Sequence, residues 1–250
     1  MRIKLIIPRG LLNALLLQSI YENTYKPDEV CMQFGPDPAW VFHITHIDNL
    51  PIILREGGLL SENETLKQDI SFTRIGHTDL KGRRANTEVP IEPGGVIADY
   101  VPFYFAPRSP MLFSIYRNNV EGYTEGQTPI IYIVGKAQDI GDNGLRFVFT
   151  DGHAAIRLSD YYNRIEDLQN VDWQIMNAKY WNDNKLSDSE NAERRRKRMA
   201  EFLVFKFFPI DYVHAMVTFD DAIKDRVSGL LNQTGHSDRI QVLSRRDWYF

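Results

Sequence analysis

Cysteine is almost absent from this chain. Cys31 is the only one in 250 residues, which excludes an intrachain disulfide framework and any multi-cysteine metal site, and fits a reducing compartment. Long apolar runs are also missing, since no stretch approaches the ~18–20 residues of a membrane-spanning helix. Neither sign of charge is in large excess. With 29 basic and 33 acidic side chains the formal net charge is −4, unlike a protein that coats nucleic acid through overall charge. The motifs GxGxxG, GxxxxGK[ST] and GxSxG do not occur, so dinucleotide-fold dehydrogenases, P-loop NTPases and α/β-hydrolases lose their support. No His, Asp and Glu residues recur at convincing ligand spacing, so no metal is expected.

The composition that remains is that of a soluble globular protein, with 43 % hydrophobic and 25 % charged residues. Its cations are unevenly placed. Residues 74–84 (RIGHTDLKGRR) carry a net +3 and residues 193–198 (ERRRKR) a net +4, which leaves −11 for the rest of the chain. Such segments either build a local anion site or are solvated faces.

Residues 1–31 differ from the rest of the chain. Arg2, Lys4 and Arg9 precede the apolar Leu11–Leu17, which loosely suggests a signal peptide, but Pro8-Arg9-Gly10 interrupts it and no small-x-small site comes after it. An extension upstream of a start at Met32, or a helix that packs on a partner, is the better reading. Residues 32–250 read as one mixed α+β domain. Trp40–His46 alternates as a strand, with Asp48 or Asn49 as the cap of a short helix that Gly57-Gly58 ends. Residues 61–95 are polar and turn-rich. Tyr100–Phe105 is a strand in which Pro102 suggests an edge or the strand's start, and Ser109-Pro110 opens a helix. Ile130–Val134, Phe147–Thr150, Glu201–Phe208, Val213–Phe219 and residues 240–243 are further strands. Helices are expected over 159–181, 188–199 and 221–231.

Several residues could carry chemistry. His43 and Thr45 share one strand face, where they could hold a ligand's hydroxyls or amide, although a hydrogen-bonded core histidine has the same pattern. Glu201 opens an apolar strand, either at its exposed end or half-buried for a purpose. Arg83-Arg84 on a polar segment suits bidentate binding of pyrophosphate. Phe103, Tyr104, Phe105 and Arg108 could stack a flat ring or belong to the core. His153 ends the strand-and-turn FVFTDGH.

Taken in order, HITHIDNL (43–50), Arg83-Arg84 with Val89-Pro90, PGGVIADYVPFYFAPRSPML (93–112), FVFTDGH (147–153), AEFLVFK (200–206) and RRDWYF (245–250) resemble the DarT-type DNA ADP-ribosyltransferase toxins. The resemblance implies an ADP-ribosyltransferase-like fold: α+β, with a split, mostly antiparallel β core and helices, holding NAD+ as co-substrate. It implies that His43, Ile44, Thr45, Ile52, Leu60 and Arg84 bind NAD+, and that Arg84 and Glu201 are catalytic. Tyr104, Arg108, Met111 and His153 fall at positions near the DNA base, with Arg195 and Arg196 as further DNA contacts. It further implies a cytoplasmic toxin, acting as a monomer on a base, thymidine by preference, in single-stranded DNA and so blocking replication. A DarG-like macrodomain ADP-ribosyl hydrolase would be the antitoxin. The rival readings are guanosine, RNA or protein as acceptor, NAD+ hydrolysis without transfer, and a binding module without turnover.

Overall fold

The computed structural model describes residues 33–250. The extension 1–31, with Cys31, lies outside the described residues. In chain order the strands are β1 (Trp40–His46), β2 (Gly58–Leu60), β3 (Tyr100–Tyr104), β4 (Ile130–Lys136), β5 (Phe147–Thr150), β6 (Tyr161–Tyr162), β7 (Glu201–Phe205), β8 (Phe207–Pro209), β9 (Ala215–Thr218) and β10 (Gln241–Ser244). The helices are α1 (Leu50–Arg55), α2 (Glu62–Lys67), α3 (Thr78–Asn86), α4 (Pro110–Tyr116), α5 (Ala137–Asp142), α6 (Trp173–Asn177), α7 (Asp188–Arg198) and α8 (Asp221–Gln233). One sheet runs β10-β9-β4-β1-β3-β7-β5-β6, and β2-β8 is a separate pair. Among the described residues only β9 and β10 run parallel. This is the mostly antiparallel α+β core expected from the sequence.

The sheet is split in its middle. β1 pairs with β4 along its whole length, and β3 pairs with β7 from Tyr100 to Tyr104. β1 and β3 meet only at Phe42 opposite Tyr104. Pro102 lies at the split and not, as its lack of an N–H suggests, on an edge strand. β1 has already diverged there, so no ladder bond is missed, and the Pro102 carbonyl accepts instead from the His43 ring (Nδ1 to O, 2.8 Å).

Phenylalanines fill the space behind the split. Phe103 meets Phe208 edge-on at 4.8 Å, and Phe147 stacks on Phe202 at 4.9 Å. Phe103, Phe202 and Phe208 are fully buried, each burial contributing about 1.5–3 kcal/mol. The carboxyl-terminal RRDWYF is anchored in this core. The Tyr249 hydroxyl lies 2.9 Å from the Ile130 carbonyl on β4 and 3.2 Å from that of Val217 on β9, while Tyr132 donates to the Trp248 carbonyl. Gln127 brackets the backbone of Phe250.

Two expected elements differ. Residues 159–181 are not one helix but the short β6, a 3-10 turn over Ile165–Asn170 and the five-residue α6; the aromatics there are spaced for packing against the sheet, not along a helical stripe. Glu201–Phe208 is broken at Lys206, whose φ of 65° lets Phe207 leave for β8. Ser109 caps α4 as expected, accepting from the Leu112 N–H.

Arg198 ties the end of α6 to the segment after β3. It is 5 % exposed, yet its guanidinium meets no carboxylate. It donates instead to the carbonyls of Ile175, Met176 and Ala178 at the end of α6 and to that of Pro107. Burial lowers its pKa to about 10, still charged at neutral pH. Arg198→Met should therefore destabilise the fold by about 3–4 kcal/mol, because those carbonyls lose their donors. Urea unfolding measures this; a loss below about 1 kcal/mol would mean that water replaces the guanidinium.

Candidate active site

A cleft of about 520 Å³ opens at the split, lined from β1 by His43, Ile44 and Thr45 and from α1 by Ile53. Asn49, Leu60, the segment 72–77, Arg84, Tyr104, Met111, His153 and Glu201 are among the other residues that line it. Its size and its few polar groups on an apolar lining suit a small-molecule ligand.

Glu201 is the most committed charge in it. It is 4 % exposed, opens β7, and stands opposite Tyr104 across the ladder. One carboxylate oxygen accepts from Arg84 Nη1 at 2.7 Å and the other from the Ala154 amide at 3.2 Å. Its own N–H donates to Thr150 Oγ1, whose O–H donates to the Gly152 carbonyl. The turn Thr150-Asp151-Gly152-His153 is thereby pinned to the start of β7. Arg84 is held in return. Burial opposes its charge, but the charge and hydrogen bond of Glu201 outweigh burial and raise its pKa above the ordinary value. Its Nη2 is buried without a hydrogen-bond partner. A desolvated donor of this kind is costly unless a ligand meets it, which fits an anionic group or a carbonyl in the cleft.

His43 and His153 are neutral donors and acceptors at pH 7, not cations. Burial lowers the His43 pKa to about 4 against the raising effect of the Pro102 carbonyl. Since Nδ1 donates to that carbonyl, the neutral ring leaves Nε2 as an acceptor. Burial also lowers the pKa of His153, against the pull of Glu201. Its Nδ1 accepts from the Ala155 amide at 3.0 Å, so its neutral Nε2 carries the proton. Tyr104, raised by burial and by Glu201, stays a phenol and donates to Met111 Sδ at 3.6 Å. The unfolded chain, with histidines near 6.5, takes up protons before the folded one. Stability is therefore full above about pH 6.5 and falls as the pH drops toward 4. The urea midpoint should fall between about pH 7 and 5, and by less in His43→Gln; an equal fall in the variant would remove His43 from this account.

Not every expected residue reaches the cleft. Its α1 lining is Ile53, and Ile52 is not among the lining residues. Arg108 is turned to the chain end, its Nε donating to the Tyr249 carbonyl at 2.9 Å and its guanidinium lying over the Phe250 ring. Arg195 is exposed on α7. Arg196 is already committed: it makes a two-pronged contact to Asp151, bonds Glu193 and leaves no room for a side chain at Gly152. It is a clasp on the turn before His153. His46 faces away from His43, as its strand position requires, against Tyr123 with Glu125 at 3.5 Å. The cationic segment 74–84 contains Arg74 and His77, but reasoning from sequence missed that they form a wall of the cleft with Phe72 and Thr73, for which no periodicity or motif gives a signal. Among the described residues no group of His, Cys, Asp and Glu is arranged to hold a metal ion, and no helix is long and apolar enough to cross a membrane.

Residues 42–250 match the model of the family described as ssDNA thymidine ADP-ribosyltransferase, DarT. The chain belongs to the DarT family. A DNA ADP-ribosyl transferase of Thermus sp. (strain 2.9) is 40% identical over 215 residues, covering 86% of this chain and 98% of that protein. The structure of Thermus sp. 2.9 DarT in complex with ADP-ribosylated ssDNA superposes with a TM-score of 0.79 at 39% identity, covering 88% of this chain and 100% of that one. That of Thermus sp. 2.9 DarT in complex with NAD+ gives 0.74 at 38%, covering 87% and 100%. A DNA ADP-ribosyl transferase-DNA ADP-ribosyl glycohydrolase fusion protein of Thermosipho africanus (strain H17ap60334) is 27% identical over 197 residues, 77% of this chain and 45% of the fusion. The split sheet and its cleft are thus a DarT-family fold.

Proposed function

We propose that this chain transfers ADP-ribose from NAD+ to thymidine in single-stranded DNA, as the toxin of a cytoplasmic toxin–antitoxin pair. The observation that carries the reading is the buried Glu201 carboxylate, held on one side by Arg84 and on the other by the Ala154 amide, at the split where His43 and Thr45 line the cleft. The chemistry NAD+ supplies when bound is a ribose–nicotinamide bond whose cleavage builds positive charge on the ribose. His43 Nε2 and Thr45 would orient the nicotinamide end, with Ile44 and Leu60 as apolar walls. Glu201, preorganised and desolvated, stabilises that positive charge. Arg84 is always protonated and so is a poor base; with Nη2 it stabilises the deprotonated ring nitrogen of the base as that nitrogen bonds to the ribose. The nitrogen's proton leaves to Glu201 or to solvent, and nicotinamide departs with the electron pair of the broken bond. Tyr104, Met111 and His153 stand beside Glu201 and would meet the unstacked base, a placement that favours single strands. Exposed Arg195 suits a phosphate.

All these groups come from one chain, which supports action as a monomer. The Thermosipho fusion with a glycohydrolase supports a DarG-like macrodomain hydrolase as the opposing partner. Incubation with NAD+ and oligonucleotides in which each base is varied in turn should yield an adduct heavier by one ADP-ribose, on thymidine, and less of it as salt rises. Adducts on protein or RNA with none on DNA would overturn the reading, as would nicotinamide release at full rate without DNA.

A further inference from the structure

Asn49 makes no cap hydrogen bond to α1, although its place in the sequence suits that role. Its side chain, 3 % exposed, is spent elsewhere. Oδ1 accepts from the Thr73 amide at 2.7 Å, and Nδ2 donates to the Thr73 carbonyl at 2.9 Å. The carboxamide thus pairs with both backbone groups of one residue, as a neighbouring strand would. The second Nδ2 proton goes to Thr45 Oγ1 at 3.0 Å. Because Thr73 offers one donor and one acceptor, the amide can sit in only one orientation.

The cleft is affected in two ways. Residues 72–77 form one wall of it, and among the described residues the backbone of 71–75 makes no other hydrogen bond. Phe72 packs against the core and Ile75 is buried, but the backbone of this wall is hydrogen-bonded through Asn49 alone among the described residues. Thr45 Oγ1, as an acceptor from Asn49, has its own O–H left to donate, and Thr45 lines the cleft. We propose that Asn49 is a positioning residue for NAD+: it fixes the 71–75 wall over the bound dinucleotide and sets the Thr45 hydroxyl as a donor toward it. The inference rests on the reading of the cleft as the NAD+ site.

The test is steady-state transfer to a thymidine oligonucleotide by Asn49→Ala, with amide hydrogen exchange read on the same protein. KM for NAD+ should rise about tenfold with kcat within about twofold, and the Thr73 amide should lose its protection while amides of β4 and β9 keep theirs. A lowered melting temperature with unchanged KM would mark Asn49 as merely structural and overturn the proposal, as would a protected Thr73 amide in the variant. If Asn49→Ala does not fold, Asn49→Asp carries the same KM test, since it keeps the shape and the acceptor for the Thr73 N–H but loses both donors. Wild-type protein that shows no saturation with NAD+ would instead overturn the assignment of the cleft, a failure distinct from that of Asn49.

Discussion

Glu201→Gln is expected to lower DNA modification at saturating NAD+ by about 10²–10³-fold or more. The substitution keeps the side chain's size and its acceptor for the Ala154 amide, but removes the negative charge that faces the cleft. A charge that acts only when positive charge develops on the ribose contributes to kcat, so KM for NAD+ should change far less. The loss is not expected to come through unfolding. Glu201 is buried, but Arg84, which it would leave without its counter-ion, lines a cleft open to water, and its side chain is 18 % exposed. The melting temperature should stay within about 2–4 °C, as for a destabilisation near 1 kcal/mol. Adduct mass and nicotinamide release measure the catalytic loss, and thermal unfolding of the same sample measures the melting temperature. Activity retained within tenfold would remove Glu201 from its assigned role.

Arg84→Lys should cost about 10²-fold in adduct formation even though the charge is kept. The guanidinium has two ends in use. Nη1 is bound to Glu201, and Nη2 is buried with no protein partner. A lysine ammonium at the tip of one flexible stem can meet the carboxylate or the base, but not both in fixed geometry. The defect should therefore fall more heavily on transfer to DNA than on NAD+ turnover, and the Arg84→Lys variant should release nicotinamide without a matching yield of adduct. Equal losses of both would place the contribution of Arg84 in holding Glu201, not in stabilising the base.

The fold was legible where its causes are local. The alternation of Trp40–His46 set β1 and put His43 and Thr45 on the cleft side, and Ser109-Pro110 opened α4 because a cap needs only its own next three residues. Glu201 was undecided because the groups that hold it are distant: Arg84 lies 117 residues away and the Ala154 amide 47. The settings of Arg108 and Arg196 were hidden for the same reason in reverse. A sequence shows a guanidinium's charge but not its partner, and these partners are Tyr249, 141 residues off, and Asp151, 45 residues off. Pro102 misled by obeying a rule about hydrogen bonds whose exception, a sheet already split beside it, exists only in three dimensions. Asn49 misled likewise, since an asparagine before a helix is a good cap until a distant loop offers it two better bonds.

The anchored chain end has a consequence in time. At about 5–20 residues per second of synthesis, Ile130 is made roughly 6–24 s before Tyr249, which stands 119 residues later. β4 must wait that interval for the hydroxyl, and β9, whose Val217 lies 32 residues before Tyr249, about 2–6 s. Products of interrupted translation that stop short of Tyr249 lack the join between β4 and β9.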